Sequence, residues 1–176
     1  MTSDRTPPSA GEYWLSGAVE RVPPLLMPVA HALLQARHDM RNAAERLTPD
    51  QLWRKPGGAA SVGFHLRHAA GSLDRLFTYA RGEPLDDAQR AALRVEAEPG
   101  TPPAAAADLL ALMDATVDDA LAQLRATSEA ELLNHRGVGR AGLPSNVLGL
   151  LFHGAEHTQR HTGQAITTAK IVTAES

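Results

Sequence analysis

Residues 153–164 read HGAEHTQRHTGQ, with His153, His157 and His161 standing four apart. A helix turns once per 3.6 residues, so the three imidazoles fall along one helical edge. The same helix extends to both sides, from just after Ser145 to about Val172. Val147, Leu151, Ala155 and Ala165 form its apolar stripe. The histidines flank that stripe, and His161 comes nearest to it. The expectation is a polar cluster at the margin of a helical core, open to a cleft.

Working outward, HRGVGRAGLP (135–144) is a glycine-rich break ahead of this helix. Before it, Thr101 as cap and Pro102 at the first position predict a long helix to about Ala126. Ser128 and Glu131 follow at capping-box spacing. Ser61 predicts the cap of another helix reaching Ala80. Its stripe is Val62, Leu66, Ala69, Leu73, Leu76, Phe77 and Ala80, and it carries His65 and His68. The first helix begins near Pro23–Pro24 and runs to Leu47. Thr48, Pro49 and Gln51 then spell a capped short helix, and RKPGGAA (54–60) interrupts the chain. Residues 82–100 read as irregular, with one helical turn around Ala88 to Leu93.

The predicted fold is all-α: a four-helix bundle with short accessory helices, forming one domain over residues 23–176. Residues 1–22 are a partly flexible N-terminal segment, from which Tyr13, Trp14 and Leu15 would cover an end of the domain. The two halves look alike, each with a long helix, a capping box, a Gly-rich loop, a Ser cap and a histidine-bearing helix. That likeness places the two histidine helices side by side.

The composition agrees and narrows the function. Of 176 residues, 43% are apolar and only 4% aromatic, so Leu, Ala and Val must fill the core, and these favour helices. Twenty acidic and 17 basic residues give a net charge of −3 without a long basic run, which argues against nucleic-acid binding. There is no cysteine, hence no disulfide, no thiolate ligand and no cysteine nucleophile. Any thiol chemistry needs a thiol from outside. The N-terminal MTSDRTPPSAGEYW lacks the pattern of a secretory signal, and no stretch approaches the ~20 apolar residues of a membrane span. The expected location is cytoplasmic, with no membrane partner.

Eight histidines are present, five of them on the two histidine helices. Imidazoles at i and i+4 can direct ring nitrogens at one ion, and a third from a facing helix completes a three-histidine site. Such a site keeps a position open for water or substrate. Spacing alone also fits a solvated polar row.

SVGFHLRHAAGSLDRL (61–76) and LGLLFHGAEHTQRHTGQ (148–164) resemble the two signature segments of the DinB/YfiT-like superfamily of metal-binding four-helix bundles. Glu156, His157, His161, Gly163 and Gln164 match the pattern of its last helix, and Ser61, Val62, Gly63 and His68 that of its second. The resemblance implies His68, His157 and His161 as ligands of a divalent ion, zinc or nickel foremost. It implies a neighbouring role for His153, orienting a ligand or holding a water. It also implies a transferase or isomerase using a low-molecular-weight thiol on a small-molecule substrate, often as a homodimer. A metal-dependent hydrolase and a non-catalytic, stress-related metal-binding protein are the alternatives.

His65 departs from the family pattern, which has an apolar residue there. It would replace His68, join as a fourth ligand, act as an acid–base group, or simply be a hydrogen-bonded core ring. Glu156 reads either as a general base or as a solvated helix-face carboxylate. Gly163 would admit a close backbone, and Gln164 would donate to a ligand or loop. Arg136 and Arg140 would meet an anionic substrate. His31 and His38 share one face of the first helix and would line the same interior.

Overall fold

The computed structural model describes residues 11–174, so the looseness expected of the first residues falls largely outside it. Among the described residues there are six α-helices: α1 (Met27–Ala44), α2 (Pro49–Trp53), α3 (Val62–Ala80), α4 (Asp87–Arg94), α5 (Ala106–Ala126) and α6 (Val147–Ala174). One antiparallel hairpin, β1 (His135–Val138) and β2 (Leu143–Asn146), precedes α6. Helices α1 and α3 each pack against both α5 and α6, which closes a four-helix ring in the order α1–α6–α3–α5. Leu33, Met40, Leu66, Leu73, Met113, Leu121, Leu124 and Leu151 are fully buried at its centre. The bundle is all-α apart from the small hairpin. Among the described residues no helix is long and apolar enough to cross a membrane.

Local chemistry explains most boundaries. Thr48 accepts from the Gln51 N–H while the Gln51 side chain accepts from the Thr48 N–H, and α2 starts there as expected. The Ser61 hydroxyl accepts from the Phe64 N–H at 3.1 Å and opens α3. Helix α1 ends at Ala44, with turns carrying the chain to Leu47. A 3-10 turn, Pro24–Leu26, leads into it.

Four expectations are corrected. Helix α5 begins at Ala106 and not at Pro102. Pro102 precedes Pro103, and a residue before proline is pushed out of helical backbone. The Ala105 N–H instead finds the Asp108 carboxylate at 3.2 Å. Second, the region around Ala88 holds a two-turn helix, because Asp86 and Gln89 form a reciprocal capping box. Third, HRGVGRAGLP is a hairpin, with Gly139 and Gly142 at φ 66° and 59° turning the chain. Ser145 is therefore paired with Arg136 in the ladder, and Asn146 caps α6 by accepting from the Gly149 N–H at 2.7 Å. Fourth, Ser128 caps only a 3-10 turn, Glu129–Glu131, through the Ala130 N–H. The likeness of the two halves therefore holds for the long helices and not for their connections.

The N-terminal arm lies on α1. Of the three apolar residues expected there, only Tyr13 is buried; Trp14 and Leu15 are exposed. His31 Nε2 meets the Gly17 carbonyl at 2.8 Å, and the His38 ring packs edge-on against Tyr13. These two histidines hold the arm and do not line the interior of the bundle. The close approach expected at Gly163 occurs on the opposite side of α6, at Gly154. A Cβ on Gly163 would meet nothing within 4 Å, whereas one on Gly154 would lie 3.0 Å from Phe77 and 3.2 Å from Leu73 of α3.

Candidate metal centre

Where α3 meets α6, five aromatic rings come together. Phe64 stacks on His68 with ring centroids 5.2 Å apart and planes within 13°. His68, His157 and His161 form a triangle of rings with centroid separations of 5.3, 4.5 and 4.6 Å. His65 sits against His161 at 5.3 Å. The α6 row is graded in depth: His153 is exposed, His157 half-buried and His161 buried. That gradient is what a histidine edge beside an apolar stripe produces.

One ligand nitrogen from each of His68, His157 and His161 can be chosen so that all lie within 4.8 Å of one another. His68 Nε2 and His157 Nε2 face each other at 3.0 Å. Two nitrogens bound to one tetrahedral ion at 2.0–2.1 Å would stand ~3.3 Å apart, so the pair is nearly at ligand spacing. The donor set also fits a divalent ion chemically. Metal ligation needs neutral imidazoles. Burial, reinforced by the neighbouring His68 and by His157 and His65, pushes His161 down to about 4. Burial likewise lowers His65 and His157, with His68 adding to both. His157 Nδ1 is buried without a hydrogen-bond partner. Together these three residues could hold a metal ion.

The other candidates lie around this triangle. His65 is buried, and its Nδ1 meets His161 Nδ1 at 3.0 Å, so one of these nitrogens bears a proton that the other accepts. It belongs with His161 and not to the cluster of three. His153 approaches Glu156 at 3.3 Å, and Glu156 is ion-paired with Arg160 at 2.6 Å on the flank of α6. That Arg160 hydrogen bond holds the Glu156 carboxyl below its usual range. Gln164 is exposed. Arg136 is committed elsewhere: its Nε donates to the Ala80 carbonyl at 2.8 Å and pins the end of α3 to the hairpin. Arg140 lies exposed in the hairpin turn.

Sequence reasoning missed Glu96. It lies in the turn after α4, is only 6% exposed, and places Oε2 2.7 Å from His68 Nδ1. Its Oε1 accepts from Arg75 Nη1 at 2.5 Å. Burial works to raise the Glu96 carboxyl, but the hydrogen bonds from His68 and Arg75 outweigh it and hold it below the ordinary carboxylate range. The neighbouring backbone is tied down by Arg67, which donates to the carbonyls of Val95 and Glu98. The capping box at Asp86 and Gln89 was a readable signal for α4. Nothing local pointed from α4 to His68, which is 28 residues away in sequence. Glu96 and Gly71 also line a cavity of about 300 Å³ between α3, α4 and α5.

No curated protein matches the chain. A family model does: that of the DinB superfamily, over residues 32–165, from α1 through the whole histidine row of α6. With that match spanning most of its length and a histidine triangle between α3 and α6, the chain belongs to the DinB superfamily.

Proposed function

We propose that this protein holds one divalent ion, zinc or nickel, through His68, His157 and His161, and that it is an enzyme transferring or using a low-molecular-weight thiol. The observation that carries the metal half is the triangle of three imidazoles with ligand atoms within 4.8 Å. A bound ion would supply Lewis acidity that favours the thiolate, the nucleophilic form of an external thiol. The chain's own residues orient and exclude. Phe64 walls one face of His68, and His65 holds Nδ1 of His161. With three protein ligands, a position is left for the incoming sulfur.

Two observations favour this over the alternatives. Hydrolysis calls for an oriented carboxylate base. Glu96 is engaged by His68 and Arg75, and Glu156 by Arg160, so neither stands ready to take a proton from water. A closed, purely structural site calls for a fourth ligand, and the nearest imidazole, His65, is turned to His161. The absence of cysteine agrees with a thiol brought by a co-substrate.

The test is direct. Zinc-loaded protein is mixed with monochlorobimane and, in turn, glutathione, N-acetylcysteine and a cysteinyl-glucosamine thiol. In the reaction a C–S bond forms, chloride leaves with its electron pair, and the thiol proton passes to solvent. Adduct should form faster with wild type than with H157A/H161A for at least one thiol. Equal rates for all three would refute thiol use and leave the metal site standing.

A further inference from the structure

We infer that Glu96 is the positioning residue of the metal centre: clamped by Arg75 and admitted by Gly71, it fixes His68 with its Nε2 free for the ion. The inference rests on reading His68, His157 and His161 as metal ligands. An ionised carboxylate only accepts hydrogen bonds. Glu96 Oε2 at 2.7 Å therefore requires the proton of His68 on Nδ1. The lone pair is then on Nε2, the atom that faces His157 Nε2 at 3.0 Å. A carboxylate behind a ligand histidine fixes the ring and makes it a better donor.

Three further features converge on that carboxylate. Arg75, itself buried, supplies the compensating charge from two turns beyond His68 on α3. Gly71 lies between His68 and Arg75 on the same helix. A Cβ there would stand 2.6 Å from Glu96 Oε1 and 2.9 Å from Arg75 Nη1, so only glycine lets the carboxylate reach α3. Arg67 holds the backbone on both sides of Glu96, at Val95 and Glu98. A buried ion pair is weak as a source of stability alone. Set against His68 it has a use, and the contrast with His157, whose Nδ1 has no partner, marks His68 as the pre-oriented ligand.

The experiment uses the full chain and three variants, E96A, E96Q and G71A. The last keeps every ligand and displaces the paired ends of Glu96 and Arg75, the two flexible side chains that an alanine methyl would meet. In metal-free protein, 15N NMR of the imidazoles reads the His68 tautomer. Wild type should carry the proton on Nδ1, and E96A should shift it toward Nε2. Zinc affinity, measured by competition with a chromophoric chelator, should fall about 10–100-fold in E96A and G71A. E96Q, which keeps an acceptor oxygen without charge, should fall less. If E96A does not fold, G71A and E96Q carry the test. Folded variants that bind zinc within about twofold of wild type, with an unchanged His68 tautomer, overturn the role of Glu96. A wild-type protein that takes up no zinc overturns the metal centre itself, and the two failures are thereby distinguished.

Discussion

The two helices that meet at the site contribute to it in different ways. On α6 the histidines form a row one turn apart, and only their depth differs: His153 is in solvent, His157 half-buried, His161 in the core margin. On α3 the histidines are three apart and individually supported. His68 has Glu96 on Nδ1 and Phe64 on its face, and His65 is buried against His161. Helix α6 thus presents His157 by periodicity, with His161 also held through Nδ1 by His65, while α3 presents His68 by contacts that come from elsewhere in the chain. A ligand set by helical repeat should tolerate changes in its surroundings. One set by a partner should not.

The largest effect should come from breaking the α6 row. H157A/H161A removes two of three ligands. If the ~10–16 kcal/mol of four-ligand zinc sites is shared roughly equally, each ligand is worth ~3 kcal/mol, and the double variant should lose on the order of 10⁴-fold in zinc affinity. Calorimetric titration of metal-free protein checks this. Unchanged uptake of one equivalent would place the ion elsewhere.

H65A probes the α3 side without removing a ligand. His161 Nδ1 loses its partner, and affinity should drop about 10-fold, toward the lower end of the range for residues behind a ligand. Loss comparable to H157A/H161A would instead make His65 a ligand.

pH sharpens the comparison, since the buried rings should dominate it. An unfolded histidine titrates near 6.5, whereas burial holds His161 at about 4. Between those values the unfolded chain binds a proton that the folded chain refuses. Stability of the metal-free protein should therefore be full above about pH 6.5, decline as pH falls toward 4, and level off for this group below that. Zinc affinity should fall in the same direction, because protons compete with the ion. Denaturant midpoints of wild type and H161A across this range provide the check. H161A should show the smaller loss, and an identical loss would remove His161 as the cause.

The smallest effect belongs to the exposed end of the row. H153A touches the Glu156–Arg160 flank and the outer side of the His157 ring, whose centroid is 5.6 Å away. Its effect should be about 0.5 kcal/mol or less, roughly twofold in zinc affinity. A tenfold loss would bring His153 into the site.

This division also explains what was legible in the sequence. The α6 row and the α3 stripe are periodic, so their helices and facing sides follow from spacing, while the choice of His68 over His65 follows from the family resemblance alone. Glu96 is not periodic with anything. It reaches His68 by tertiary packing of a turn, through a gap that exists because residue 71 lacks a side chain. Thr101–Pro102 imitates a helix cap while Pro103 forbids one, so the start of α5 is not legible there. Ser145 reads as the cap of α6 because a four-residue strand of Leu, Pro, Ser and Asn carries little strand signal, and the neighbouring Asn146 is as good a cap as serine. Gly163 and Gly154 look equivalent in the chain. Only the presence of Phe77 and Leu73 opposite Gly154 tells them apart.

The central claim is that His68, His157 and His161 bind one ion and leave a position open. Cobalt titration of metal-free protein, followed by addition of a small thiol, tests it most directly. The account predicts uptake of one equivalent with visible bands of a low-coordinate cobalt site, and a new sulfur-to-cobalt charge-transfer band when the thiol is added. Cobalt that fails to bind would contradict the three-histidine site, and a bound cobalt whose spectrum ignores the thiol would contradict its open position.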